Sequence, residues 1–188
     1  MSIDHVTRPG TRHATTERAD DTVGRVLAAT RIGLGLVFFW AFADKLFGLG
    51  YATPSTSAWI NGGSPTKGFL GGIDHGPLGS MFRSWAGQGW ADWLFMASLF
   101  AIGTALVLGV GLRVTAIAGT ALMLMMWAAE WPLDRFTDAG EATRSTNPIL
   151  DYHLVYAALL IIFALTKAGD IWGLGRRVAA ATRSPWLR

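Results

Sequence analysis

Few side chains of this chain can do chemistry, and most of them sit at the ends of apolar runs. Arg31, Asp44, Lys45, Asp92, Glu130, Asp151, His153 and Lys167 all lie in or beside such runs. Ionisable groups in an apolar setting are costly, which makes them functional candidates by default. Glu130 stands between Trp127 and Trp131, just before Pro132. Partial desolvation there would raise its pKa and suit proton transfer, whereas a solvated helix end would leave it ordinary. His153 and Tyr156 are three apart and share a helix face. Asp151 and His153 are two apart and point to nearly opposite sides of a regular helix, a poor chelate, so no metal site is expected. Arg31 and Lys45, 14 residues apart, share a face, and Lys45 is expected to join a local ion-pair network with Asp44. Arg31 either snorkels to one membrane face or belongs to a site. Lys167 is expected to mark an interface.

Several chemistries are excluded by what is absent. The 188 residues include no Cys. That removes disulfides, thiolate metal sites, iron–sulfur clusters and redox thiols. A bis-His haem in a helix bundle needs two intramembrane His, and only His153 is placed for that. The segment Gly62-Gly63-Ser64-Pro65-Thr66-Lys67-Gly68 fails the spacing of a phosphate loop. No Ser–His–Asp arrangement is legible.

The elements that must position these residues are long apolar helices. The chain is 51% hydrophobic and only 15% charged, against about 25% in a typical soluble domain. Four apolar stretches predict four transmembrane helices near residues 23–47, 90–112, 114–131 and 148–168. A run of 20 residues spans about 30 Å, the thickness of a bilayer core. Backbone in lipid must satisfy its own hydrogen bonds, so the predicted fold is an all-α integral membrane protein, a four-helix bundle. Asn147-Pro148 looks like the start of the last helix, with Asn as cap. Residues 1–22 read as a polar tail and 173–188 as a basic one. The long segment 48–89 contains Trp59, Phe69, Met81, Phe82 and Trp85, and is predicted to fold over the outer mouth.

Charge sets the expected orientation. With both termini in the cytoplasm, eleven Lys and Arg lie inside and five outside, while eight acidic residues lie outside and five inside. The basic excess is thus a topology signal for a multi-pass protein of the cell membrane, and no nucleic-acid partner is expected. Ala97, Ala101, Ala105 and Gly109 form a small-residue stripe that can pack against another helix or a second copy of the chain. Trp40, Trp90, Trp93, Trp127, Trp131, Tyr152 and Tyr156 fall at one outer level with most of the ionisable residues. They make either an interfacial aromatic belt or the wall of a polar pocket.

At this point the sequence resembles a known family. Arg31-Ile32-Gly33-Leu34-Gly35, Phe38-Phe39 and Lys45-Leu46 are similar to the first helix of DoxX-type membrane proteins. The small residue that the family usually carries shortly before the lysine is represented by Ala41 and Ala43. The segment from Ser57 to Leu70, and Asn147-Pro148 with Asp151-Tyr152-His153 and Tyr156, resemble the DoxD branch. That branch is described as the small membrane subunit of thiosulfate:quinone oxidoreductase. The resemblance implies a membrane subunit of a quinone-linked oxidoreductase, with quinone as cofactor and a lipid bilayer as environment. Electrons from an outside donor would then need a second redox subunit or direct chemistry between bound substrates. On this reading Glu130, His153 and Lys45 are the expected catalytic residues. Arg31, Trp40, Asp44, Trp59, Trp131 and Tyr156 are expected to shape the quinone site. Two other readings stay open: a non-enzymatic scaffold or assembly subunit, and a small transporter with Arg31 and Glu130 near opposite ends of the bundle.

Overall fold

The computed structural model describes residues 10–187, with side chains from Asp21 onward, Pro185 excepted. Every regular element among them is helical. The long helices are α1 (Gly10–Phe47), α4 (Gly89–Leu108), α5 (Leu112–Glu130) and α6 (Tyr152–Leu165); the short ones are α2 (Lys67–Gly71), α3 (Gly79–Trp85) and α7 (Gly175–Thr182). Three helical stretches are long and apolar enough to cross a membrane: Asp21–Phe47, Gly89–Leu108 and Leu112–Glu130. Large apolar side chains such as Leu36, Leu94, Phe100, Ile117, Leu124 and Val155 stand exposed on the outer faces of the bundle. Outward-facing apolar residues on this scale suit a lipid surface.

The fourth predicted span is shorter than expected. α6 has 14 residues, about 21 Å of helix, instead of running from 148 to 168. The cause is local. The Asn147 side chain accepts from the N–H groups of Ile149 and Leu150, both at 2.9 Å, which closes a turn and not a helix start. Asp151 is the true cap, accepting from His153 N and Leu154 N. The other boundaries also move. α1 already begins at Gly10, inside the predicted tail of residues 1–22, and residues 1–9 lie outside those described. The predicted C-terminal tail carries the short helix α7.

α1 lies along α4, and α5 along α6, with the Gly109–Gly111 turn joining the two pairs. The core between them contains Leu34, Phe38, Met96, Leu99, Ile102, Leu106, Leu122, Leu160 and Phe163. Close approach of α1 and α4 rests on glycine. A Cβ on Gly103 would come within 2.8 Å of the Phe39 nitrogen, and one on Gly35 within 2.9 Å of the Val107 nitrogen. Within this chain the predicted stripe is not the packing face: Ala97 and Ala101 are exposed, and the buried face of α4 carries Met96, Leu99, Gly103 and Leu106. The sequence spacing could not distinguish these two faces of an almost wholly apolar helix.

Arg31 does not snorkel. Its side chain is completely buried where α4 ends. Nη1 donates to the carbonyls of Leu106 and Val107, and Nη2 to those of Ile171 at 3.3 Å and Trp172 at 3.0 Å. The last carbonyls of a helix are unpaired and carry the negative end of its dipole, so a guanidinium fork suits them. Glycine makes room: a Cβ on Gly109 would meet Arg31 Nη1 at 2.8 Å, and Gly169, Gly173 and Gly175 crowd the same carbonyls. Arg31→Met should lower the unfolding free energy in detergent by about 3 kcal/mol or more, because it strands several buried acceptors. Arg31→Lys should recover only part of this, since an ammonium lacks the fork. Melting curves unchanged in both variants would contradict this role.

Candidate functional site

The end of the bundle opposite Arg31 is covered by the 48–88 segment. It is built from short 3₁₀ turns at Ser55–Ser57 and Trp59–Asn61, followed by α2 and α3. Two acidic residues of the long helices hold it down. Asp44, at the end of α1, is buried and accepts from Tyr51 N at 3.4 Å and Ala52 N at 3.1 Å. Asp92, in the first turn of α4, is also buried; its Oδ1 accepts from Ser64 Oγ, Thr66 Oγ1 and Thr66 N at 2.8, 2.6 and 3.0 Å. A carboxylate in a first helical turn is also favoured by the helix dipole. Arg83 of α3 donates to the Ile73 carbonyl at 2.6 Å. Trp59 packs edge-on to Trp93, with ring centres 4.6 Å apart.

His75 joins this cover to α5. Its Nε2 lies 2.9 Å from the Glu130 carbonyl oxygen, so that nitrogen must donate. Its Nδ1 lies 2.7 Å from Asp74 Oδ1. Burial alone would lower the imidazole pKa, but the hydrogen bonds to Asp74 and to the Glu130 carbonyl, with the charges of Asp74 and Asp134, outweigh it and leave the pKa raised.

Two cavities meet beneath the cover. The first, of about 500 Å³, is polar: Asp74, His75, Glu130, Arg144, Asn147, Asp151 and Tyr152 are among its walls. The second, of about 530 Å³, is a cleft between α4 and α5 and is mostly apolar. Toward the middle of α4 and α5 it is lined by Leu94, Ala118, Ala121, Leu122 and Met125, where it is open to the outer face of the bundle; at the covered end it is lined by Lys45, Thr66, Trp85, Trp90, Glu130 and Tyr152. Phe69, Ala129, Glu130 and Tyr152 belong to both and form the partition between them. Lys45 has no carboxylate partner among the described residues; its Nζ sits 5.9 Å from the centre of the Phe95 ring. The expected Asp44–Lys45 pair is thus replaced by two separate jobs, a loop cap and a cation at the rim of an apolar cleft.

The partition is backed by a polar cluster. Tyr152 Oη donates to Glu130 Oε1 at 3.1 Å. His153 Nδ1 lies 2.7 Å from Asp151 Oδ2 and 3.9 Å from Glu130 Oε2. The expectation that Asp151 and His153 diverge fails, because Asp151 is outside the helix. Its extended cap conformation, φ −95° and ψ −175°, turns the carboxylate back over the first turn. Glu130, Asp151 and His153 each offer a ligand atom within 4.8 Å of the others, a convergence that the regular-helix reading of Asp151 and His153 did not anticipate.

Of the predicted site residues, Lys45 and Glu130 line the cavities directly. His153 is fully buried behind them, with its ring 4.0 Å from that of Tyr152. Tyr156 lies one step deeper, packed on Tyr152 and Phe38. Trp131 turns the chain after α5 with φ +38° and packs against Trp127. Trp59 and Asp44 hold the cover, and Trp40 stands half-exposed on the outside, edge-on to Tyr51. Arg31 is at the other end of the bundle and takes no part. Sequence reasoning passed over Tyr152 as a site residue and His75 altogether. Tyr152 stood in the same segment as Asp151 and His153 but was counted with the aromatic belt. His75 stood beside Asp74 in the loop, and nothing in the spacing tied it to Glu130.

If Asp92 anchors the cover, Asp92→Ala should destabilise the protein by about 1–3 kcal/mol, the range for stranding buried donors. It should also speed proteolytic cleavage between residues 61 and 72. Unchanged cleavage and melting would show that the cover is held by other contacts.

No family model matches the chain, and no curated protein or solved structure matches it either.

Proposed function

We propose that the protein is a membrane subunit of a quinone-linked oxidoreductase, and that the α4–α5 cleft takes the quinone. The observation that carries this reading is the division of the cleft into an apolar stretch along α4 and α5 and a covered end that holds the Lys45 ammonium. A quinone has the same division, an isoprenoid tail and a ring with two carbonyl oxygens. Lys45 Nζ is the donor at the rim, Trp85, Trp90 and the Tyr152 ring are the aromatic walls, and the methionines Met125 and Met126 supply adaptable apolar surface. Glu130 holds Tyr152 by its hydroxyl and so aims it. His153, buried behind Tyr152, acts as a positioning residue.

The resemblance to the DoxD branch adds the reaction class. Two thiosulfate ions joining through a new S–S bond would release two electrons and no protons, and quinone reduction would consume those two electrons with two protons taken from water. Phe69, Ala129, Glu130 and Tyr152 line both cavities, so the two adjoin there. On this proposal α6 completes a four-span bundle with its short length made up by the 166–174 segment. The cover faces the outside and both termini face the cytoplasm, in keeping with the Lys and Arg distribution.

A water-soluble quinone analogue should bind the detergent-purified protein saturably. Lys45→Met should weaken it by about tenfold, the effect of losing one hydrogen bond to a buried acceptor, and Tyr152→Ala, which removes a ring from the wall of the cleft, should weaken it as well. Unchanged binding in both variants, or none in the unsubstituted protein, would remove the assignment.

A further inference from the structure

We propose that Glu130, Asp151 and His153 form a divalent-cation site of the zinc class, with a coordination position open to the outer cavity. The proposal rests on the cluster itself and not on the quinone reading. One imidazole nitrogen and two carboxylates are hard-to-borderline donors of the kind zinc and its first-row neighbours accept. Three protein ligands plus an open position is the pattern of a reactive zinc site, in contrast to the closed four-ligand structural site.

The geometry is close to what a bound ion needs. Around zinc with bonds of about 2.0–2.2 Å, neighbouring ligand atoms in a tetrahedron lie roughly 3.3 Å apart. Here His153 Nδ1 is 2.7 Å from Asp151 Oδ2 and 3.9 Å from Glu130 Oε2, values on either side of that spacing. Sub-ångström shifts of three side chains would admit the ion. The ligands are also held from behind. Asp151 Oδ1 accepts from His153 N at 3.0 Å and Leu154 N at 3.2 Å, which leaves Oδ2 to face the cluster. Tyr152 Oη takes Glu130 Oε1, which leaves Oε2. Outer contacts of this kind orient metal ligands. Glu130 and Asp151 line the outer cavity while His153 is fully buried, so the open position faces the cavity.

Charge supplies the independent argument. Two carboxylates lie within 4.8 Å of each other, and no Lys or Arg nitrogen among the described residues comes within 4.0 Å of either. Asp151 is only 9% exposed. Glu130 stands in the last turn of α5, where the helix dipole disfavours a negative charge. Buried or half-buried carboxylates are ordinarily paired or bound to metal.

The test is cobalt(II) titration of the detergent-purified full chain, with any affinity tag removed and no quinone present. The expected result is one equivalent bound, an intense visible band from a low-coordinate site, and displacement by zinc(II). Asp151→Asn keeps the cap acceptor for His153 N and Leu154 N while removing the ligand charge, so the fold should persist. That variant and Glu130→Gln should each weaken cobalt binding about tenfold or more. Lys45→Met should leave cobalt binding unchanged, which separates this site from the quinone cleft. His5→Ala/His13→Ala should also leave it unchanged, which excludes the N-terminal imidazoles. Absence of a saturable band, retention of full affinity in both carboxylate variants, or loss of binding in the N-terminal variant would each overturn the proposal.

Discussion

The guanidinium of Arg31 carries a full charge to a buried position among main-chain carbonyls. It is accepted because α4 stops there and offers its unpaired carbonyls, while the segment after α6 brings two more. One side chain thereby ties three parts of the chain together: the middle of α1, the end of α4 and residues 171–172. The arrangement needs Arg and glycine at once. Without the small residues at 109, 169, 173 and 175 the carbonyls could not crowd around the fork. A buried ion of this kind is a demanding constraint, because misplacing any of the three segments leaves a charge or a row of acceptors unsatisfied.

The consequences reach the other end of the bundle. With α1 fixed against the end of α4, Gly35 and Gly103 bring the two helix backbones into contact along the middle of the membrane-spanning region. α1 then delivers Asp44 and Lys45 to the rim together, and neighbouring residues on one turn point apart. One caps the loop, and the other overhangs the cleft. α5 delivers Glu130 and α6 delivers Asp151 and His153 to the same level, so acidic groups from several helices gather at the loop end and a cationic one is sealed at the other. The aromatic residues do separate work there. Trp85 and Trp90 wall the cleft, while Trp59 and Trp93 clamp the cover to α4.

Much of the scaffold was legible because apolar runs without charge leave helices as the only backbone form that satisfies itself. The pairing of α1 with α4 and of α5 with α6 was not legible, because nothing in the spacing of nearly all-apolar helices fixes which of them lie together. The site was less legible than the scaffold. The partners of Arg31 lie 75 to 141 residues away and are main-chain carbonyls, which any residue type supplies. His75 finds the Glu130 carbonyl 55 residues on, again through backbone. The Asp151–His153 contact was misread because a regular helix was extended four residues too far. Once Asp151 is the cap, two residues that should diverge are brought to hydrogen-bond distance.

The sequence by itself determined an all-helical chain rich in membrane-length apolar segments, the absence of thiol chemistry, and the level at which its polar residues collect. These follow from composition and run length, which are properties of the chain taken one segment at a time. Only the tertiary structure decided which of those polar residues are structural and which face open space. Arg31, Asp44 and Asp92 are consumed by backbone groups, whereas Lys45, Glu130 and Tyr152 are left lining cavities. The physical reason is that a buried polar side chain is defined by its partner. When that partner is a main-chain carbonyl or amide brought in from a distant segment, no residue type in the sequence marks it in advance.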